Sequence, residues 1–167
     1  TSNSLEDNPR RFLKHYSFCD LITIYDDHST DKSVEIINSF PNTEVIQQSE
    51  VARDKYSDLT LLNIKNEEYK TDRDYDWVIV VDIDEFLYAH EDLRVALDNY
   101  NGYPGLAVYW YIFGTNGLEE YDDRLVLERF TKRGAKVFHL MKSIVNPLRV
   151  RYPAFANPHS FAYINGW

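Results

Sequence analysis

Blocks of apolar residues alternate with polar loops along the first part of the chain, and they predict a helix, a strand and a second helix. Residues 4–15 place Leu5, Phe12 and Leu13 among charged residues, a spacing that predicts a helix packing one face inward. The β-branched apolar run at 19–25 predicts a strand that ends in a polar loop at 26–31. Apolar residues then recur at helical spacing from 34 to 40, so the order is that of an α/β fold.

The alternation of predicted strands and helices continues through the rest of the chain. Five consecutive large apolar residues within 76–82 predict a central strand that is buried on both faces. Gly114 and Gly117 bound a predicted turn. The other predicted elements are strands at 43–46, 106–113, 137–145 and 161–164 and helices at 51–69 and 91–100.

Length and charge limit the classes of protein and partner. A chain of 167 residues with 44% hydrophobic residues predicts a single domain, residues 1–167, with a substantial core. The net charge of -9 disfavours binding to nucleic acid or to an anionic lipid surface. A phosphate-bearing small molecule remains compatible with this charge, because a bound divalent cation converts a carboxylate-rich pocket into a phosphate site.

Cysteine content and hydropathy favour a cytoplasmic protein. Cys19 is the only cysteine, which excludes an intrachain disulfide and favours a reducing compartment, with Cys19 as a small core residue. No apolar stretch approaches the roughly 20 residues that span a bilayer, and no signal-peptide pattern opens the sequence.

The strongest candidate for chemistry is the sequence Asp82-Ile83-Asp84-Glu85, directly after the predicted buried strand. Open α/β sheets bind their ligands at the carboxyl ends of their strands. Two carboxylates one residue apart can share a hard cation such as Mg²⁺ or Mn²⁺, with diphosphate oxygens and water completing the coordination. The alternative interpretation is an acidic turn without a ligand.

A second group of carboxylates follows the earlier predicted strand, in the loop at 26–31. Asp26 or Asp27 can accept a hydrogen bond from a nucleobase N–H or a ribose hydroxyl. The alternative is that Asp27, Ser29 and Asp31 only build the turn and cap the next helix. His28 alone is more typical of a solvated loop than of a ligand.

The chain resembles the family-2-like glycosyltransferases with the GT-A fold, particularly a bacterial branch related to DUF23-type enzymes. The four segments that carry the resemblance span most of the chain: 24–31, 77–86 with its Asp-x-Asp-Glu-Phe sequence, 110–117, and 142–147 followed by Pro158-His159. It implies a Rossmann-like α/β fold of three layers (α/β/α) with a mostly parallel central sheet. It also implies transfer of a sugar, as in polysaccharide biosynthesis, with inverting chemistry the expectation.

The resemblance also implies roles for individual residues. The donor would be a nucleotide-diphosphate sugar, usually a uridine diphosphate (UDP) sugar, with Asp26 or Asp27 near the base. Asp82 would lie near the ribose and the metal, Asp84 would bind Mn²⁺ or Mg²⁺, and His159 resembles the late histidine that closes the metal site. Lys142 lies in a matching segment and would offset diphosphate charge, a role for which Arg149 and Arg151 are alternatives.

The sequence defines the binding site for the sugar acceptor less well than the site for the nucleotide-sugar donor. An inverting transferase needs a base for the acceptor hydroxyl, here of a glycan or a lipid-linked acceptor. Glu119 and Glu120 follow the predicted turn and are the candidates, although an acidic surface loop explains them equally. The family often has a Glu-Asp pair here, and this chain has Glu-Glu-Tyr-Asp-Asp instead. The Tyr109-Trp110-Tyr111 cluster suits stacking against a sugar or packing within a strand.

The comparison with the family also predicts missing parts. The first strand of the family precedes the region where this chain begins, and helices usually follow the region where it ends. A fragment is therefore expected, with peripheral membrane association allowed through parts outside this chain. Two alternatives to the glycosyltransferase remain. One is a phosphatase resembling the haloacid dehalogenases, with Asp82 as nucleophile, and the other is an inactive domain that binds carbohydrate or protein.

Overall fold

The computed structural model describes residues 3–47, 75–115, 117–120, 126–135, 139–150 and 161–164. Its helices are α1 (Asn3–His15), α2 (Ser33–Asn38), α3 (Leu93–Asp98) and α4 (Val126–Arg129). Its strands are β1 (Ile22–Asp26), β2 (Thr43–Gln47), β3 (Val78–Ile79), β4 (Gly105–Tyr109) and β5 (Met141–Val145). A 3-10 turn spans Pro147–Arg149. Among the helices of these described ranges, none combines the length and the apolar composition of a bilayer-spanning segment.

The described residues divide into two compact units. The first comprises those of Thr1–Asp74 and Val81–Gly102, and the second those of Tyr75–Val80 and Tyr103–Trp167. The protein is a mixed α/β structure, as predicted, with one parallel pair of strands in the first unit and one antiparallel sheet in the second. The predicted helix at 51–69 lies outside the described residues.

The first unit contains the predicted β1–α2–β2 order. β1 and β2 pair in parallel from Ile22↔Thr43 to Asp26↔Gln47, so both strands end at the same edge. The core comprises the buried side chains of α1, α2 and the residue after α1, with the partly buried Ile24 and Val45 packed against it. The side chains that form this core are Phe12, Leu13, Tyr16 and Ile37. Burial of apolar faces from both helices therefore fixes the parallel pair.

In the second unit, the antiparallel sheet has the order β3-β5-β4. Ile144, Val145 and Val150 are buried, and Val78, Phe161 and Tyr163 pack against Val145 and Val150. The Tyr163 side chain lies close against Gly105 of β4, because a Cβ atom at position 105 would overlap the Tyr163 hydroxyl and lie 3.0 Å from the carbonyl oxygen of Ile144.

The prediction of a central strand across 76–82 was wrong for the described residues. The strand there is only Val78–Ile79, its residues are half-buried, and it lies at the edge beside the central strand β5. The physical reason is that the apolar run contributes to two cores. Val78 packs in the second unit, whereas Val81 packs against the core of the first. The run is continuously apolar because its residues pack into two different cores, and not because one strand is buried on both faces of a sheet.

Candidate functional site

Asp26 is a buried carboxylate at the end of β1. Its side chain is 5% exposed, and its Oδ2 atom accepts hydrogen bonds from the Ser29 backbone amide (3.1 Å) and from Gln47 Nε2 (2.8 Å). Gln47 is the last residue of β2 and pairs with Asp26 in the sheet register. The end of the parallel pair therefore holds the Asp26 carboxylate in one orientation.

The hydrogen bonds to Asp26 also determine its charge. Burial by itself raises the pKa of the Asp26 carboxyl, but the hydrogen bonds from Ser29 and Gln47, together with the nearby His28, lower that pKa below its usual value. Asp26 is therefore ionised at neutral pH and acts only as an acceptor, the form needed to bind a ligand N–H or O–H group.

The rest of this loop is exposed. His28 has a φ of 57°, in the left-handed region that His adopts more often than most residues. Asp27, the alternative ligand for a nucleotide, is exposed. Hydrogen bonds from the Ser33 hydroxyl and from the Ser33 amide, the latter at 2.9 Å, lower the pKa of the Asp31 carboxyl and order the start of α2. The two carboxylates of this loop therefore have different roles. Asp26 is a buried hydrogen-bond acceptor, whereas Asp31 orders the first residues of α2.

Asp82, Ile83 and Asp84 form an exposed acidic turn that Glu85 closes. The Glu85 amide donates to the Asp82 carbonyl oxygen at 3.0 Å, and the Asp82 amide donates to Glu85 Oε2 at 2.8 Å. The first bond closes a β-turn, and the second is one half of a capping box, in which a side chain accepts from the amide three residues earlier. Asp84 is exposed to solvent on this turn.

Residues after the turn are attached to the end of α1. The Tyr16 hydroxyl donates to the Glu85 carbonyl oxygen at 3.1 Å and accepts from the Leu87 amide at 2.9 Å. His15 Nε2 donates to the Leu87 carbonyl oxygen at 2.8 Å, and its ring meets Phe86 edge-on with ring centres 5.2 Å apart. The acidic turn therefore projects from backbone that the first core anchors.

The two exposed carboxylates on this turn are the type of ligand that a divalent cation uses when it is bound together with a phosphate. Mg²⁺ sites commonly use one or two carboxylates and leave the remaining positions to substrate phosphates and water. In the described part of the chain, no group of three His, Cys, Asp or Glu side chains forms a candidate metal site. His159, the predicted third ligand, lies outside that part.

Lys142 is a buried cation on β5, in the second unit. It is 4% exposed, and its Nζ atom lies 5.5 Å from the centre of the Trp110 ring. The contact is a cation–π interaction, which offsets part of the cost of removing the ammonium from water. A solvated surface lysine, the alternative interpretation from the sequence, is thus excluded. Arg149 is exposed, and Arg151 lies outside the described residues.

The structure does not distinguish between the two candidates for the base that would act on the acceptor. Glu119 and Glu120 are both exposed and follow Gly117, whose φ of 79° forms the predicted turn. Tyr109 and Tyr111 are also exposed, and the Arg133 guanidinium lies 4.6 Å from the centre of the Tyr111 ring. Neither glutamate is placed in a buried or hydrogen-bonded environment among the described residues, so geometry does not select a base.

Three residues organise the site in roles that the sequence did not identify: Tyr16, Gln47 and Glu85, of which only Glu85 belongs to the predicted acidic motif. Glu85 carries a recognisable signal, since an acceptor side chain three residues after Asp82 is the spacing of a reciprocal cap. Gln47 is identifiable only once the register of β1 and β2 is known. Tyr16 has no local signal, because its partners lie 69 and 71 residues further along the chain.

Comparison with known proteins gives no match to a protein-family model, a curated protein or a solved structure.

Proposed function

We propose that this chain is the catalytic domain of a divalent-metal-dependent glycosyltransferase with the full three-layer GT-A fold. The observation that carries the proposal is the Asp82–Glu85 turn, which presents two exposed carboxylates on backbone held by reciprocal hydrogen bonds. Such a turn exposes both carboxylates, and its two hydrogen bonds limit the backbone conformations that would be lost on binding a cation.

In this proposal Asp82 and Asp84, with His159, hold Mn²⁺ or Mg²⁺. The cation supplies Lewis acidity that stabilises negative charge on the departing nucleoside diphosphate. The chain's own contribution is to present two exposed carboxylates on one turn. Asp82 also lies near the ribose in this assignment.

Asp26 would recognise the nucleoside of the donor. A carboxylate with a lowered pKa accepts hydrogen bonds without competing protonation, so it selects a ligand that offers an N–H or O–H group. A uracil N–H or a ribose hydroxyl meets that requirement, and Asp27 on the same loop is the alternative partner. A uridine diphosphate sugar, the donor that the family resemblance implies, is the proposed donor.

Lys142 would neutralise diphosphate charge. An ammonium that is already buried pays less additional desolvation when it meets a phosphate than a solvated lysine does. The stack on Trp110 restricts the side chain and so reduces the entropy lost on binding. Glu119 or Glu120 would remove the proton from the hydroxyl of a glycan or lipid-linked acceptor.

The test is a panel of nucleoside diphosphate sugars with Mn²⁺, measured as a change in melting temperature. A ligand that binds only the folded chain raises its stability by mass action. Stabilisation by a uridine or guanosine diphosphate sugar that requires Mn²⁺ and both Asp82 and Asp84 supports the proposal. Phosphate release from a phosphomonoester that depends on Asp82 would favour the phosphatase instead. Carbohydrate binding that survives loss of Asp84 would favour an inactive binding domain.

A further inference from the structure

Tyr16 is a buried tyrosine whose hydroxyl reaches a distant part of the chain. Its side chain is 3% exposed, and its ring packs against Phe12 with ring centres 4.7 Å apart. Burial raises the pKa of Tyr16 to about 12, so the hydroxyl keeps its proton throughout the pH range in which enzymes are assayed. Tyr16 is therefore a permanent donor and acceptor at a fixed position beside the first core.

Both hydrogen bonds of the Tyr16 hydroxyl go to the backbone just after the acidic turn. It donates to the Glu85 carbonyl oxygen and accepts from the Leu87 amide, two residues further along. His15 adds a bond to the Leu87 carbonyl oxygen. Together these contacts fix the peptide groups on either side of Phe86, and none of them uses an Asp82 or Asp84 side chain.

The constraint at Glu85 extends back to the two aspartates. Glu85 closes the turn twice, through its own amide to the Asp82 carbonyl oxygen and through its carboxylate to the Asp82 amide. A shift of the Glu85 backbone would therefore disturb both bonds that define the turn. The path from Tyr16 to Asp82 consists of hydrogen bonds between named atoms.

We propose that Tyr16 is a positioning residue for the Asp82 and Asp84 carboxylates, acting through Glu85 to hold the acidic turn in one conformation. The inference rests on the proposed function for the role of the metal, but the ordering of the turn by Tyr16 can be measured without any ligand. Sites that bind metals tolerate only about 0.5 Å of misplacement, so a looser turn would weaken cation binding.

The experiment uses Tyr16→Phe, which removes the hydroxyl and keeps the ring in the core. Amide hydrogen exchange, resolved by residue, reports opening of the turn, and electron paramagnetic resonance reports free Mn²⁺ during titration with and without uridine diphosphate. Ile37→Val is the matched control, because it removes a methyl group from the same core without touching the turn. Each variant is measured at a temperature equally far below its own melting temperature.

The expected result is that Tyr16→Phe accelerates exchange of the Asp82 and Leu87 amides roughly tenfold and leaves the Ser29 amide unchanged. The dissociation constant for Mn²⁺ should rise about fivefold or more, with no such rise in Ile37→Val. The double variant Tyr16→Phe/Glu85→Ala should lose less Mn²⁺ affinity than the sum of the losses in the two single variants, because both substitutions act on one turn.

Unchanged exchange at both Asp82 and Leu87 would overturn the positioning role. So would equal effects of Tyr16→Phe and Ile37→Val on exchange and on Mn²⁺ binding, since Tyr16 would then only stabilise the core. Failure of the unmodified chain to bind Mn²⁺ with any nucleotide would instead overturn the proposed function. Selective exchange at the turn would still support the ordering role of Tyr16 in that event.

Discussion

The hydroxyl of Tyr16 accepts a hydrogen bond from the Leu87 amide at 2.9 Å, across a separation of 71 residues in the chain. This contact joins the end of α1 to the segment that follows the acidic turn. Leu87 itself packs against the core that contains Phe12 and Leu13. The candidate metal ligands are therefore exposed side chains on a backbone that is anchored immediately afterwards.

Replacement of Gly105 tests the packing of the second unit. Gly105→Ala places a Cβ atom against the ring of Tyr163 and near the Ile144 carbonyl oxygen, so it should lower the free energy of unfolding by about 1–3 kcal/mol. Gly102→Ala is the control, because a Cβ atom there meets nothing within 4 Å. Urea denaturation gives both values. Equal effects of the two substitutions would show that Tyr163 does not pack over β4 as described.

The Asp26 carboxyl should make stability depend on pH. Its pKa is lower in the folded chain than the usual 3.8, so the unfolded chain binds the proton more readily. The stabilisation is complete above about pH 5 and is lost as the pH falls through 3.8 toward the folded pKa. Chemical denaturation at a series of pH values measures this dependence. Below about pH 5 the free energy of unfolding should fall less steeply with decreasing pH for Asp26→Asn than for the original chain.

Gln47→Ala provides a graded comparison for Asp26, since it removes one of the hydrogen bonds and leaves the carboxyl in place. For Gln47→Ala, the decrease in the free energy of unfolding below about pH 5 should have a slope between those of the original chain and Asp26→Asn. Identical slopes for all three proteins would mean that these hydrogen bonds do not lower the pKa of Asp26.

Lys142 should contribute to donor affinity through its charge. Lys142→Met keeps most of the side-chain volume and the contact with Trp110 but removes the ammonium. We expect the dissociation constant for a uridine diphosphate sugar with Mn²⁺ to rise about tenfold, the size of one charged hydrogen bond. Calorimetric titration measures it, with the exposed Lys132→Met as control. A similar loss in both variants would indicate a general effect of net charge and not a diphosphate contact at Lys142.

Glu119 and Glu120 can be separated by kinetics. Replacing the true base with glutamine should lower kcat by about 10²- to 10⁴-fold. Donor affinity should be unchanged, because the base acts on the acceptor hydroxyl. Sugar transfer to a glycan or lipid-linked acceptor, followed under saturating donor, gives kcat for each variant. Full activity of both Glu119→Gln and Glu120→Gln would remove both residues from this role.

The elements predicted correctly are those whose pattern has a single physical cause. The helix at the start of the chain and the β1–α2–β2 order follow from apolar residues that face one core. The run at 76–82 misled because Val78 and Val81 serve different cores, and a one-dimensional pattern records burial but not the core to which each residue belongs.

For the site, the sequence locates the acidic side chains but not the contacts that organise them. Asp26 ends a strand, as predicted, and Asp82 begins a turn after an apolar segment. The burial of Asp26 depends on the register with β2, and the attachment of the turn depends on Tyr16. Both are tertiary relationships, and local sequence carries information about neither.

The central claim is that Asp82 and Asp84 bind a divalent cation together with a nucleotide-sugar diphosphate. The most direct measurement is the melting temperature of the chain and of Asp82→Asn and Asp84→Asn, with a uridine diphosphate sugar at about 100 times its dissociation constant. With Mn²⁺ present we expect a rise of roughly 5–10 °C for the original chain, and little or none for either variant or with chelator. A rise of the same size in Asp84→Asn, or no rise in the original chain with any nucleotide sugar, would contradict the claim.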